Sequence, residues 1–231
     1  MEGNYNRVLL CGTLLSEPAY SHSNHGQDFY SFFLAVERLS GQQDKLPVLA
    51  AAPLLGHISL RPGEPLTVSG QLRSFNNKSG RGSRLVLSVF AHGLYPGGGV
   101  PENTIRLCGT VCKPPVFRRT PMGREICDVI LAVNRRCGRA DYLPCIAWGT
   151  LARQVGGMTV GQRLAAQGRV QSRLYRKQTE SGCQERTAYE VSIMRLCPPE
   201  ELFRPGIDFA AAGGIMEPSY PKEGIRDDPV R

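Results

Sequence analysis

A chain of 231 residues with 41% hydrophobic content is long enough for one or two domains with real cores, which excludes disorder along the whole length. Its N-terminus, MEGNYNRVLLCGTLL, holds only a short apolar run before Ser16 and Glu17, too short for a signal h-region or a membrane span, so a cytoplasmic protein is expected. The formal net charge of +8 is spread unevenly: residues 1–96 carry 8 Lys+Arg against 6 Asp+Glu, residues 103–198 carry 16 against 6, and residues 199–231 carry 4 against 7. One part of the chain is built to meet polyanions, and the C-terminal end to avoid them.

The first element in chain order, NRVLLCGTLLSEPAY at Asn6 to Tyr20, recurs as NTIRLCGTVCKPPVF at Asn103 to Phe117, so the chain holds an internal repeat. The shift of 97 also carries Leu34-Ala35-Val36-Glu37-Arg38 onto Leu131-Ala132-Val133-Asn134-Arg135. It carries Asp44-Lys45-Leu46-Pro47 onto Asp141-Tyr142-Leu143-Pro144 as well. Further on the shift becomes 98, from Gly63 to Gly161 and Gly70 to Gly168, and then about 104, from Ser88 to Ser192. His22 and His25 fall in the polar stretch SHSNHG, read as a loop; without nearby cysteines no metal is expected there. Residues 97–102, Gly-Gly-Gly-Val-Pro-Glu, follow Pro96 and mark a linker between a first domain, 1–96, and a second, 103–198.

Each copy reads as short strands between turns, with alternation in Arg106 to Val111 and in Ile126 to Val133. In the second copy the strand Leu143 to Trp148 leads into a short helix near Thr150 to Val155, with Thr150 as N-cap and Gly156-Gly157 as the stop. Five or so strands and one short helix in about 95 residues describe a small β-barrel, which removes exposed edges; the same pattern is compatible with a β-sandwich. The hairpin strand Gly168 to Lys177 sends Arg169, Gln171, Arg173, Tyr175 and Lys177 to one face by its period of two, and Val170 and Leu174 inward. Cations alternating with an aromatic suit a single-stranded polyanion, whose phosphates need charge and whose unstacked bases need a flat π-surface. Arg118, Arg119, Arg135, Arg136 and Arg139 add charge in loops of the same copy. Trp148, the only tryptophan, has Ala51 in the matching position of the first copy, so the barrel closes without a ring there and a binding role is favoured over a packing one. From Pro199 the chain is dense in Pro and Gly and reads as a disordered tail on which Leu202, Phe203, Ile207 and Phe209 have the size to dock.

Eight cysteines occur without a C-x-x-C pair, several inside apolar runs such as VLLCG and IRLCG, so buried reduced thiols are expected rather than disulfides. No phosphate-binding loop, nucleophile elbow or zinc-protease motif is present, and all four histidines lie in the less charged copy. A non-enzyme with no cofactor and no metal is expected.

The second copy resembles the bacterial single-stranded DNA-binding protein family from Asn103 to Cys197. The resemblance rests on Arg118-Arg119-Thr120-Pro121-Met122-Gly123, Leu131 to Arg135, Asp141 to Gly149 and Gly168 to Tyr175. It implies an all-β chain of two tandem OB-fold barrels that wraps single-stranded DNA without strong sequence preference during replication, recombination and repair, on the nucleoid. It also implies Trp148 and Tyr175 as stacking residues and a homodimer that pools four barrels. The first copy keeps Gly12, Phe32 to Val36 and Gly70 but lacks the Trp and most arginines. The family tail ends in acidic residues and Pro-Phe, recognised by partner enzymes; here Asp227-Asp228-Pro229-Val230-Arg231 lacks the Phe. Two other readings use the same fold: an accessory protein of a replication or primosome complex, and an RNA-binding module, which would need contacts to the 2′-OH.

Overall fold

A computed structural model describes residues 5–56, 58–77, 85–135, 138–179 and 182–202; the side chains of Lys177 and Thr179 are not among what is described. Twelve strands dominate. The first copy contributes β1 (Tyr5–Leu14), β2 (Ala19–Asn24), β3 (Gln27–Glu37), β4 (Gln43–Ala51), helix α1 (Ala52–Leu55), β5 (Pro65–Asn76) and β6 (Leu85–Pro96). The second contributes β7 (Glu102–Val111), β8 (Val116–Arg119), β9 (Glu125–Asn134), β10 (Ala140–Trp148), helix α2 (Thr150–Gly156), β11 (Arg163–Thr179) and β12 (Gly182–Leu196).

Each copy closes into a five-stranded barrel. In the first, β1 pairs with β3, β3 with β4, β4 in parallel with β6, β6 with β5 and β5 with β1. In the second the same circuit runs β7, β9, β10, β12 and β11. Closure with one parallel pair and a helix between the third and fourth barrel strands is OB architecture, and it decides against a sandwich. Alternation builds the interior: Val8, Leu10, Leu34, Leu46 and Val68 fill one barrel, and Ile105, Leu107, Leu131, Leu143 and Val170 the other. Closure demands close backbone approach at two equivalent bulges. A Cβ on Gly70 or Gly168 would lie 2.2 Å from the carbonyl oxygen of Phe90 or Ser192, so only glycine fits.

Barrel closure uses only the C-terminal end of one edge of β1 and of β7. The rest of those edges pair with each other, antiparallel, from Tyr5 against Cys108 to Cys11 against Glu102. Val8 faces Ile105, its own counterpart in the second copy, so the barrels are related by a local two-fold that passes between these residues.

Several sequence expectations change at this level. The parallel pairs Val48–Val89 and Cys145–Val191 set the repeat offset in the last strand at 102, so Phe90, not Ser88, corresponds to Ser192. His22 lies on strand β2 rather than in a loop and stacks on Phe29, ring centroids 5.0 Å apart. Helix α2 is capped by Gly149, at φ 55°, with no side-chain cap hydrogen bond. A positive φ at that corner suits glycine, and it moves the helix start one residue earlier than Thr150 would set it. Leu174 does not point inward; it is 72% exposed, because β11 and β12 run past the barrel as a free-standing hairpin. The fold extends to helix α3 (Pro199–Leu202), whose Leu202 is buried with Cys108 and Ala165. Residues 199–202 are therefore part of the fold, and the rest of the expected tail, residues 203–231, lies outside the described residues. Cys11, Cys108, Cys127 and Cys145 are buried, whereas Cys183 is exposed in the hairpin. Among the described residues no helix is long and apolar enough to cross a membrane.

Candidate nucleic-acid interface

Strand parity sets the outer surface of the second barrel. Leu143, Cys145 and Ala147 of β10 are buried in the core, so Tyr142, Pro144, Ile146 and Trp148 face outward. Trp148 is 38% exposed and Tyr142 50%. Trp148 opposes Ile126 on β9, and Ile126 opposes Arg118 on β8, which places an indole and a guanidinium in one row across three strands. The turn at Gly149 then leads the chain off into α2 and leaves the indole at the strand's open end. Sequence reasoning missed Tyr142, although its even spacing from Trp148 on one strand was the signal.

The same outer face continues across β12, where Ile146 is in parallel register with Ser192. From there it passes to β11: Arg169 opposes Ser192, Gln171 opposes Glu190, Arg173 opposes Ala188 and Tyr175 opposes Arg186. Arg173 lies over the Tyr175 ring, 5.9 Å from its centroid, and its Nε is 3.7 Å from Glu190. Gln171 is buried and donates from Nε2 to Glu190 at 2.7 Å. It anchors the hairpin rather than presenting itself to a ligand. The buried Nε of Arg169 has no hydrogen-bond partner among the described residues, and burial followed by the neighbouring Arg38 lowers its pKa. Such a guanidinium is improved by an anion. Lys177 shares this parity on the backbone, but its side chain lies outside what is described.

Of the remaining arginines, Arg118 donates to Asp128 at 2.6 and 3.3 Å, which raises its pKa, and Arg119 donates to Glu125 at 3.1 Å. Both stand on β8, a strand and not a loop. Their side chains are 49% and 71% exposed. Pairs this open to water contribute about 0–1 kcal/mol, so phosphate can replace the carboxylates at small cost. Arg135 differs. Its side chain is 10% exposed, its Nη2 and Nε donate to Asp141 at 2.6 and 2.9 Å, and Nη2 also donates to the Ser74 carbonyl of the first barrel at 3.1 Å. Asp141 in turn accepts from the Ser74 backbone N–H at 2.6 Å. The other half repeats this arrangement: Arg38 chelates Asp44 at 2.5 and 2.7 Å, and Asp44 accepts from the Ser172 N–H at 2.7 Å. Arg135 is therefore half of a latch between the barrels, with its guanidinium engaged by Asp141 and the Ser74 carbonyl. Arg136 lies outside the described residues.

The corresponding face of the first barrel is occupied by its own rings. Where Ile126 stands in the second barrel, Phe29 is buried, flanked by His22 and by Phe90 at 6.0 Å. Phe90 meets His92 and carries Arg73 over its face at 5.6 Å. Ala51 takes the place of Trp148.

Comparison with known proteins follows this division. The model of the single-strand binding protein family matches residues 102–197, the second barrel alone. Over both barrels, the single-stranded DNA-binding protein of Thermus aquaticus is 27% identical, with 99% of this chain and 95% of that protein aligned. The protein of the same description from Deinococcus radiodurans is 25% identical over 74% of this chain and 68% of its own. A crystal structure of a deletion mutant of the Thermus aquaticus protein superimposes with a TM-score of 0.66 at 26% identity, covering 89% of this chain and 100% of that one. The second barrel thus matches the single-strand binding protein family, and the chain as a whole is similar over both barrels to single-stranded DNA-binding proteins.

Proposed function

We propose that the protein binds and protects single-stranded DNA without strong sequence preference, in replication, recombination and repair, through the outer face of its second barrel. One observation carries the reading: Trp148, Tyr142, Arg118, Arg173 and Tyr175 lie on the outward side of the second copy's strands, where rings and guanidinium groups stand together. Bases stack on the rings whatever their identity, and phosphates meet the exposed guanidinium groups of the arginines. The role proposed is binding and not catalysis. The protein acts in the cytoplasm on nucleoid DNA, as a homodimer of two chains, with partner enzymes approaching through the C-terminal segment.

Titration with oligo-dT, duplex DNA and RNA across a salt series tests the reading. Affinity for oligo-dT exceeds that for duplex, Trp148 emission is quenched, and log K falls with log salt at a slope near about −0.7 per phosphate contacted. Equal affinity for duplex, or unchanged emission at saturating oligo-dT, overturns it. Preference for RNA would favour the RNA-binding alternative.

A further inference from the structure

The two latches bring residues of the first barrel to the rim of the proposed site. At one, Tyr142 donates its backbone N–H to the Ser74 hydroxyl at 2.8 Å, and the Arg135 guanidinium that chelates Asp141 also lies over the Phe75 ring, 5.6 Å from its centroid. Phe75, on β5 of the first barrel, is thus held at the start of the strand that carries Tyr142. Both rings are open to solvent, 38% and 50%. One side of Phe75 meets a guanidinium whose position is pinned by a buried carboxylate. A ring so fixed loses little freedom when a base stacks on it.

At the other latch the counterparts are cations. Lys45 replaces Tyr142 and Arg173 replaces Phe75, and the Lys45 backbone N–H donates to the Ser172 hydroxyl at 3.2 Å. Lys45 is exposed, and the Arg173 side chain is 56% exposed. Within the second barrel, Arg173 pairs with Ala188 on β12, and β12 runs parallel to β10 with Cys145 opposite Val191 and Ile146 opposite Ser192. The second barrel therefore meets the first at an aromatic pair at one latch and a cationic pair at the other.

Resting on the reading of the second barrel's face given above, we infer that the bound strand crosses the seam between the barrels. Phe75 stacks a base beside Tyr142, and Lys45 contacts a phosphate beside Arg173. The first barrel then supplies contacts at the seam even though its own outer face is filled by packed rings.

The test uses the full chain, with anisotropy titrations of labelled oligo-dT, thermal melts on each variant, and Trp148→Ala as reference. Phe75→Ala weakens binding roughly ten-fold, as loss of one stacked base does, and Phe75→Tyr restores it. Lys45→Gln reduces the salt slope by about 0.7 with an unchanged melt, which keeps the test decisive where Phe75→Ala loosens the Arg135 contact. Tyr20→Ala, an exposed ring on the edge strand β2 of the first barrel, leaves affinity unaltered. If Trp148→Ala weakens binding while Phe75→Ala and Lys45→Gln leave affinity and slope as they were, the strand stays on the second barrel and the seam site is wrong. If Trp148→Ala also has no effect, the reading of the second barrel's face fails with it.

Discussion

The two barrels share a circuit of strands, a pair of bulge glycines and mirror-image latches, yet they spend their outer faces differently. In the second, Trp148 and Tyr142 stand open, and Arg118 and Arg119 expose their guanidinium groups. In the first, Phe29, Phe90, His22 and His92 pack on one another, and Ala51 offers no ring. The difference teaches which residues are scaffold. Arg38 and Asp44 recur as Arg135 and Asp141 in both copies, including the copy with the filled face, and they belong to the joint. What only the second copy has, the open rings and guanidinium groups, makes up the face proposed to bind.

The comparison breaks first at the latches. Asp141→Ala leaves Arg135 buried without its carboxylate and Asp44→Ala does the same to Arg38, so each variant loses about 3–5 kcal/mol of stability. Thermal and urea unfolding measure this. If the local two-fold is energetically real the two losses agree within about 1 kcal/mol; a loss confined to one variant shows that one latch alone holds the barrels.

The next effect lies in binding. Trp148→Ala costs about 1–3 kcal/mol of affinity for oligo-dT with little change in melting temperature, because the indole stands outside the core. A stability loss of about 3–5 kcal/mol with unchanged affinity would instead return Trp148 to packing. The reciprocal variant, Ala51→Trp, sharpens the contrast. It leaves affinity within about two-fold of the parent, since one added ring is a single contact on a face whose other rings are engaged. A gain as large as the Trp148→Ala loss would show that a missing ring was all that separated the barrels.

The smallest effect is a pH dependence peculiar to the first barrel. Desolvation, then Arg73 and Arg7, push the His92 pKa down to about 4. A histidine whose pKa is depressed by folding takes up its proton more readily when unfolded. Its neutral form therefore favours the native state above pH 6.5, and that contribution is lost as pH falls toward 4. His92→Gln removes this dependence, so the melting temperatures of parent and variant draw apart between pH 6.5 and 4, with the parent falling faster. His92 is itself partly exposed, which keeps the separation small. Parallel melting curves would show that His92 titrates normally.

The repeat, the all-β character and the outward parity of Arg169, Arg173 and Tyr175 were legible in the sequence, because a period of two and a fixed offset are properties of the chain itself. Trp148 at the end of its strand was legible for the same reason. Leu174 was not, because alternation states which side a residue faces but not where a hairpin leaves the barrel. The role of Arg135 was hidden too. A guanidinium near a loop reads as free charge until its carboxylate is seen 2.6 Å away. Nor does local pattern reveal that β1 pairs with β7 around Val8 and Ile105, that Asp44 and Asp141 each reach into the other barrel, or that Phe75 arrives beside Tyr142. These are contacts between residues about 60 to 130 positions apart, set by how two closed barrels share an edge, and backbone hydrogen bonding along that edge is indifferent to the side chains a sequence displays.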